Sequence, residues 1–142
     1  MIAMEQNMPF GRPDLPPMSP GFGAYVQQEL AYISALPDNW EPGHRATTPA
    51  ATEALGNALI MLANGEEIVC PALAADGEGG AFAEWFAGGA LVSVEANAAG
   101  ALTVAVFDYK DYDRICGSLD EASQATVRHV LADLTAAANR AT

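Results

Sequence analysis

The sequence predicts an α+β fold: an antiparallel meander of three to four strands, with two N-terminal helices and one C-terminal helix packed on it. Three observations carry this. Apolar residues recur at helical spacing in two stretches before Asn64 and in one after Ser118. Between them lie short runs in which apolar and polar residues alternate. Clusters of Gly, Asp and Asn separate those runs, and links so short join antiparallel neighbours. Helices and strands are thus segregated along the chain, which is the α+β pattern.

Residues 1–21 are read as a Pro/Met-rich extended tail. Pro9, Pro13, Pro16, Pro17 and Pro20 remove amide donors and fix φ, so no helix or central strand is expected there. Met1, Met4, Met8, Phe10 and Met18 would give such a tail apolar contacts for a partner or a second copy. The single domain is expected over 22–142.

Its first helix is expected from about Ala24 to Ala35, with Val26, Leu30 and Ile33 on one face. Leu36-Pro37 stops it, because the residue before proline avoids the helical region. A loop over 40–47 follows. Thr48 then reads as an N-cap with Pro49 at the first helical position. Leu55, Leu59 and Leu62 form the face of the second helix, and Asn64-Gly65 ends it.

Glu67 to Ala74 is expected as the first strand, an edge strand because Pro71 interrupts it. Asp76 to Gly80 is a turn. Ala81 to Phe86 follows, with Phe82, Glu84 and Phe86 on one side and Ala81, Ala83 and Trp85 on the other. Leu91 to Ala96 and Leu102 to Tyr109 complete the meander. Ser118 is read as the cap of the last helix, with Glu121 three residues on. Val127, Val130, Leu131, Leu134 and Ala138 form its apolar stripe.

The chain has 142 residues and a formal charge of 6 basic minus 18 acidic, or −12. It is 51% hydrophobic, but Ala dominates that figure, so the core is modest. Lys110 and five Arg cannot neutralise a phosphate array, which argues against direct nucleic-acid binding and against an anionic membrane surface. The start of the chain lacks the basic and apolar segments of a signal peptide, so a cytoplasmic protein is expected. Cys70 and Cys116 lie in no metal or disulfide pattern. No metal and no cofactor are expected.

The strongest unusual feature is the acid distribution. From Ala46 to Tyr109 there is no basic residue, whereas Glu53, Glu66, Glu67, Asp76, Glu78, Glu84, Glu95 and Asp108 are all present. One-signed surfaces steer oppositely charged partners. The expected partner-binding residues are Asp76, Glu78, Glu84, Glu95 and Asp108, with Tyr109, Asp111, Tyr112 and Asp113 beyond them. Asp108, Asp111 and Asp113 have the chemistry for a hard cation, but the spacing of a calcium loop is missing. Tyr109 and Tyr112 suit contact roles. Trp40, Trp85 and Ser118 are read as structural.

His44 lies near Asp38, Glu41 and Arg45, and a carboxylate–His pair is a known acid–base device. His129 falls one turn from Asp133 on a helix surface. Neither histidine carries a catalytic motif, and no phosphate-binding or dinucleotide loop occurs.

Leu36, Pro37 and Trp40, then Glu41 and Gly43, Pro49 with Leu55, Gly80 before Glu84-Trp85, and Gly100 form a recognisable series. Over residues 36–100 it resembles a widespread group of small uncharacterised bacterial and phage proteins with a Leu-Pro-x-x-Trp loop, a Pro-capped helix and a Glu-Trp strand. The resemblance implies a fold rather than a reaction. In it, Trp40 is expected to lock its loop onto the sheet, with its indole N–H on an acceptor.

Together these readings favour a small acidic non-enzymatic binding protein. An inhibitory or regulatory role is expected, of the antitoxin, immunity or phage anti-defence type, covering a basic protein such as a nuclease, toxin or nucleic-acid-handling machine. The alternatives are an assembly protein that forms a homo-oligomer through the N-terminal arm, and an enzyme or small-ligand domain with a carboxylate/His44 pocket.

Overall fold

The computed structural model describes residues 21–87, 89–108 and 114–140. The elements run α1 (Phe22–Ser34), α2 (Pro49–Ala63), β1 (Ala72–Ala75), β2 (Ala81–Ala87), β3 (Ala90–Ala96), β4 (Leu102–Asp108), β5 (Arg114–Ser118) and α3 (Glu121–Arg140). The strands form one sheet in the order β1-β2-β3-β4-β5, and every neighbouring pair is antiparallel. The fold is therefore α+β with two helices before the sheet and one after it. It has five strands, one more than the upper expectation.

The core lies on one side of the sheet. Val26, Leu30 and Ile33 of α1 meet Leu55, Leu59 and Leu62 of α2, with Val127 and Leu131 of α3. Beneath them lie Ala81, Ala83 and Trp85 of β2, Val92, Val94 and Ala96 of β3, and Val104 and Val106 of β4. The register aligns Ala83 with Val94 and Val94 with Val104, so these side chains form a continuous inward surface. Each fully buried Leu or Val contributes about 1.5–3 kcal/mol by leaving water. A Cβ on Gly56 would come 3.0 Å from Leu30 Cδ1, so α1 and α2 cross where α2 has no side chain.

The helix starts show how local and distant residues share the work. Thr48 caps α2 by accepting the Ala51 N–H, with Pro49 at the first position. Gly21 gives α1 no side-chain cap. Glu67, 45 residues away in sequence, supplies one, with Oε1 accepting the Phe22 N–H at 2.8 Å.

Three expectations need correction. β1 begins at Ala72, not Glu67. The backbone just before it is held by side chains instead of a ladder: Val69 N–H donates to Thr135 Oγ1 at 3.0 Å, Val69 O accepts from Trp85 Nε1 at 2.7 Å, and Pro71 O accepts from Tyr25 at 2.6 Å. Ser118 does not cap α3; it ends β5. Asp120 is the cap, its Oδ1 accepting the Ser123 N–H at 2.9 Å while Ser123 Oγ accepts the Asp120 N–H at 2.9 Å. Finally, Arg114–Ser118 is a strand, although its sequence shows no clean alternation.

The Trp40 indole N–H has the expected acceptor, but within its own loop and not on the sheet: Nε1 donates to Arg45 O at 3.2 Å. That loop docks on the β1–β2 turn through backbone and hydroxyl groups. Arg45 N–H donates to Gly77 O, Thr48 N–H to Gly79 O, and the Thr47 hydroxyl to Gly80 O.

Candidate functional site: the open face of the sheet

With the helices on one side, the strand residues of opposite parity point away from them. On β2 these are Phe82, Glu84 and Phe86; on β3, Leu91, Ser93 and Glu95; on β4, Thr103, Ala105 and Phe107; on β5, Cys116 and Ser118, with Arg114 at the register position opposite Phe107. Pairing places Phe86, Leu91 and Phe107 in one row across three strands. Glu84, Ser93, Ala105 and Cys116 form the next row, and Phe82, Glu95 and Thr103 the one after. The face thus has an apolar end, a small-residue centre and two carboxylates. Phe86 is 66% exposed, unusual for so large an apolar side chain.

Glu84 and Glu95 are both exposed. Among the described side chains, the close base–carboxylate contacts are His44 with Glu41 and His129 with Asp133, so none of these side chains places a cation on Glu84 or Glu95. Of the basic side chains, Arg128 donates through Nη2 to Met61 O at 2.9 Å, near the C-terminus of α2. That position suits a cation against the helix dipole.

The other expected partner-binding residues do not join this pair. Asp76 is engaged in its own turn, with Oδ1 accepting the N–H groups of Glu78 at 2.7 Å and Gly80 at 2.9 Å. Glu78 is exposed beside the Trp40 loop, where its backbone forms an isolated parallel β-bridge with that of Arg45. Asp108 closes β4 through its backbone, and Tyr109, Asp111, Tyr112 and Asp113 lie outside the described residues, as do residues 1–20 of the expected arm. Glu53 is on α2, and Glu66 and Glu67 follow that helix. The acids between Ala46 and Tyr109 are therefore spread over several surfaces, with Glu84 and Glu95 sharing the open face.

Trp85 is 3% exposed and belongs to the core. The aromatic residues at open-face positions are Phe82, Phe86 and Phe107. Alternation in the sequence separates the two sides of β2 correctly, but does not say which is buried. The smaller side is inward, since Ala81 and Ala83 let α2 approach the strand closely.

His44 packs edge-on against Trp40, ring centroids 4.7 Å apart, and its Nδ1 lies 3.8 Å from Glu41 Oε1. Gly77 abuts the other side of the ring, at a distance where a Cβ would lie 3.1 Å from it. The imidazole serves as a spacer between loop and turn. Among the described residues no group of three or more His, Cys, Asp or Glu could hold a metal ion, and no helix is long and apolar enough to cross a membrane. The cysteines are free thiols. Burial pushes the Cys70 thiol up, and the Glu67 carboxylate adds to the shift. No family model, curated protein or solved structure matches this chain.

Proposed function

We propose that this is a small acidic binding protein without enzymatic activity, whose open sheet face covers a basic partner. An inhibitory or regulatory role of the antitoxin, immunity or phage anti-defence type fits best. The observation that carries the reading is the juxtaposition of exposed Phe86 with the exposed carboxylates of Glu84 and Glu95 on the face that the helices leave uncovered. Exposed apolar area rimmed by charge is the signature of a contact surface.

Charge selects the kind of partner. Two copies of this chain meeting through the same face would bring the four carboxylates of Glu84 and Glu95 together, at a desolvation cost. A partner presenting Lys or Arg would compensate them. The net charge of −12 would also steer such a partner in and speed association.

The test is binding kinetics against the basic protein recovered with this chain from its native host. The double variant Glu84→Gln/Glu95→Gln should slow association about tenfold at low salt, within the range of electrostatic steering. Wild-type association should slow as salt rises toward 0.15 M, where screening shortens to about 8 Å. Phe86→Ala should mainly speed dissociation, as loss of an apolar anchor does. Binding unaffected by salt and by all three substitutions would defeat the reading.

A further inference from the structure

The turns of the sheet fix which way each strand's backbone groups point. Hydrogen-bonded and open pairs alternate along an antiparallel ladder. At the β3–β4 turn the Asn97 N–H donates to Ala101 O, and this pair continues the β3–β4 register. Counting from it, Glu95–Thr103, Ser93–Ala105 and Leu91–Phe107 are the bonded pairs. Starting instead from Asp76 N–H to Gly80 O, and counting across β2 and β3, gives the same phase. Val104 and Val106 therefore turn their backbone groups to β5, where they meet Gly117 and Ile115. The N–H and C=O groups of Arg114, Cys116 and Ser118 point out of the sheet. Ser118 O agrees with this phase, since it accepts from the Ser123 hydroxyl of α3 at 3.1 Å.

A free sheet edge is a row of backbone groups that another strand can take, and proteins blunt it with short strands, proline or covering elements. The β1 edge is blunted. β1 has four residues, Pro71 precedes it with its carbonyl taken by Tyr25 of α1, and Leu73 and Ala75 pack on the core. The β5 edge has no such guard. Its sequence holds neither Pro nor Lys. Cys116, Gly117 and Ser118 are exposed, and a Cβ added at Gly117 would meet no described atom within 4 Å.

We propose that β5 pairs antiparallel with β5 of a second copy, about a two-fold axis at Cys116, joining the two sheets into one. The strand is its own complement. Its outward residues are spaced evenly about Cys116, so Cys116 meets Cys116 and Arg114 meets Ser118 in both directions. Each outward N–H then faces an outward C=O. A carbonyl has two lone pairs, so the Ser123 bond leaves Ser118 O able to accept. Charge favours this edge over the open face for a second copy. β5 carries Arg114 and no carboxylate, and Arg114 of each copy comes opposite Ser118 of the other, two positions before its Asp120. Glu95 lies two strands in from β5 and Glu84 three. Like carboxylates of the two copies thus stay at least about 24 Å apart, at ~4.8 Å per strand, well beyond the screening length of about 8 Å. The pairing leaves both open faces uncovered and does not rest on the docking reading.

The test is sedimentation velocity on the full chain, from micromolar to near-millimolar concentration. A monomer–dimer equilibrium is expected, tightening as salt rises, because screening relieves repulsion between two chains of charge −12. Docking of a basic partner has the opposite salt dependence, which separates the two readings. Cys116→Pro should weaken the dimer about tenfold or more, since each dimer loses two hydrogen bonds, and should keep the ladder to β4. Gly117→Pro should instead lower the unfolding midpoint, because that N–H serves the ladder. Cys116→Lys, which guards the edge with a charge, should also weaken the dimer. In a Cys70→Ser chain a short bismaleimide should link Cys116 to Cys116, whose Cα atoms would lie about 5.5 Å apart. With the thiol moved to exposed Thr103 of β4, as Cys116→Ser/Thr103→Cys, linking should be lost. A monomer at every concentration, or a dimer unaffected by both Cys116 variants, would overturn the proposal and leave the docking reading standing. Greater destabilisation by Cys116→Pro than by Gly117→Pro would reverse the phase and overturn it too. Linking through Thr103→Cys as readily as through Cys116 would overturn it in favour of stacked open faces. A monomer whose Cys116 amide gains exchange protection on binding the basic partner would overturn it by giving the edge to that partner's strand.

Discussion

The indole N–H of Trp85 donates to the carbonyl of Val69 at 2.7 Å, tying the middle of β2 to the segment that leads into β1. The ring itself is core, at 3% exposure. Trp85→Phe should therefore cost about 1–3 kcal/mol, because it leaves the Val69 carbonyl short of its donor. Trp85→Ala should cost about 3–5 kcal/mol through cavity formation. Urea denaturation measures both, and equal costs for the two would show that the hydrogen bond, rather than the packing, dominates.

Glu67 connects the same segment to α1 by accepting the Phe22 N–H. Glu67→Ala should destabilise the protein by about 1 kcal/mol, the usual scale of a lost N-terminal cap. Amide hydrogen exchange at Phe22 and the residues after it should accelerate. Unchanged exchange there would mean that Gly21 and the first turn are held by other contacts.

The same carboxylate acts on Cys70, whose thiol is raised first by burial and then by Glu67. In a Cys116→Ser background, alkylation of Cys70 should show a midpoint above the ordinary cysteine value of about 8.5. Glu67→Gln should bring it down part of the way, leaving the burial contribution. A midpoint at or below the ordinary value would contradict this placement of the thiol.

Asp120 and Ser123 exchange hydrogen bonds at the start of α3, and the bonds from Ser123 hold the Asp120 carboxyl below its ordinary value. A lowered folded pKa stabilises the fold at every pH above the unfolded aspartate value. That contribution is lost as pH falls through the lowered folded value. Stability measured across the acid range should therefore decline less steeply in Asp120→Asn than in the wild type. Ser118→Ala should stay within about 0.5 kcal/mol of wild type, as an exposed side chain without a capping role. A larger loss at Ser118 than at Asp120 would reverse the assignment of the cap.

Gly80 is where the β1–β2 turn passes closest to its neighbour. An added Cβ would lie 2.4 Å from Ala96 O and 2.5 Å from Asp76 Oδ2. Gly80→Ala should cost roughly 1–3 kcal/mol as an overpacked site. A neutral result in thermal unfolding would mean that the turn can shift away from β3 freely.

The sequence by itself determined the elements whose signals are local. The Thr48-Pro49 cap, the Asn64 stop and the period of Val26, Leu30 and Ile33 lie within a few residues of what they control. So do the alternations of β2, β3 and β4, which made the α+β class and the antiparallel order readable. The tertiary structure decided what depends on distant partners. Glu67 caps a helix 45 residues earlier, Thr135 takes the Val69 N–H that a strand would have used, and β5 exists because β4 offers it an edge. Alternation separates Phe82, Glu84 and Phe86 from Ala81, Ala83 and Trp85, but only helix packing chooses the inward side. The close approach of α2 favours the small residues there, and that choice leaves Phe86 beside Glu84 on the open face.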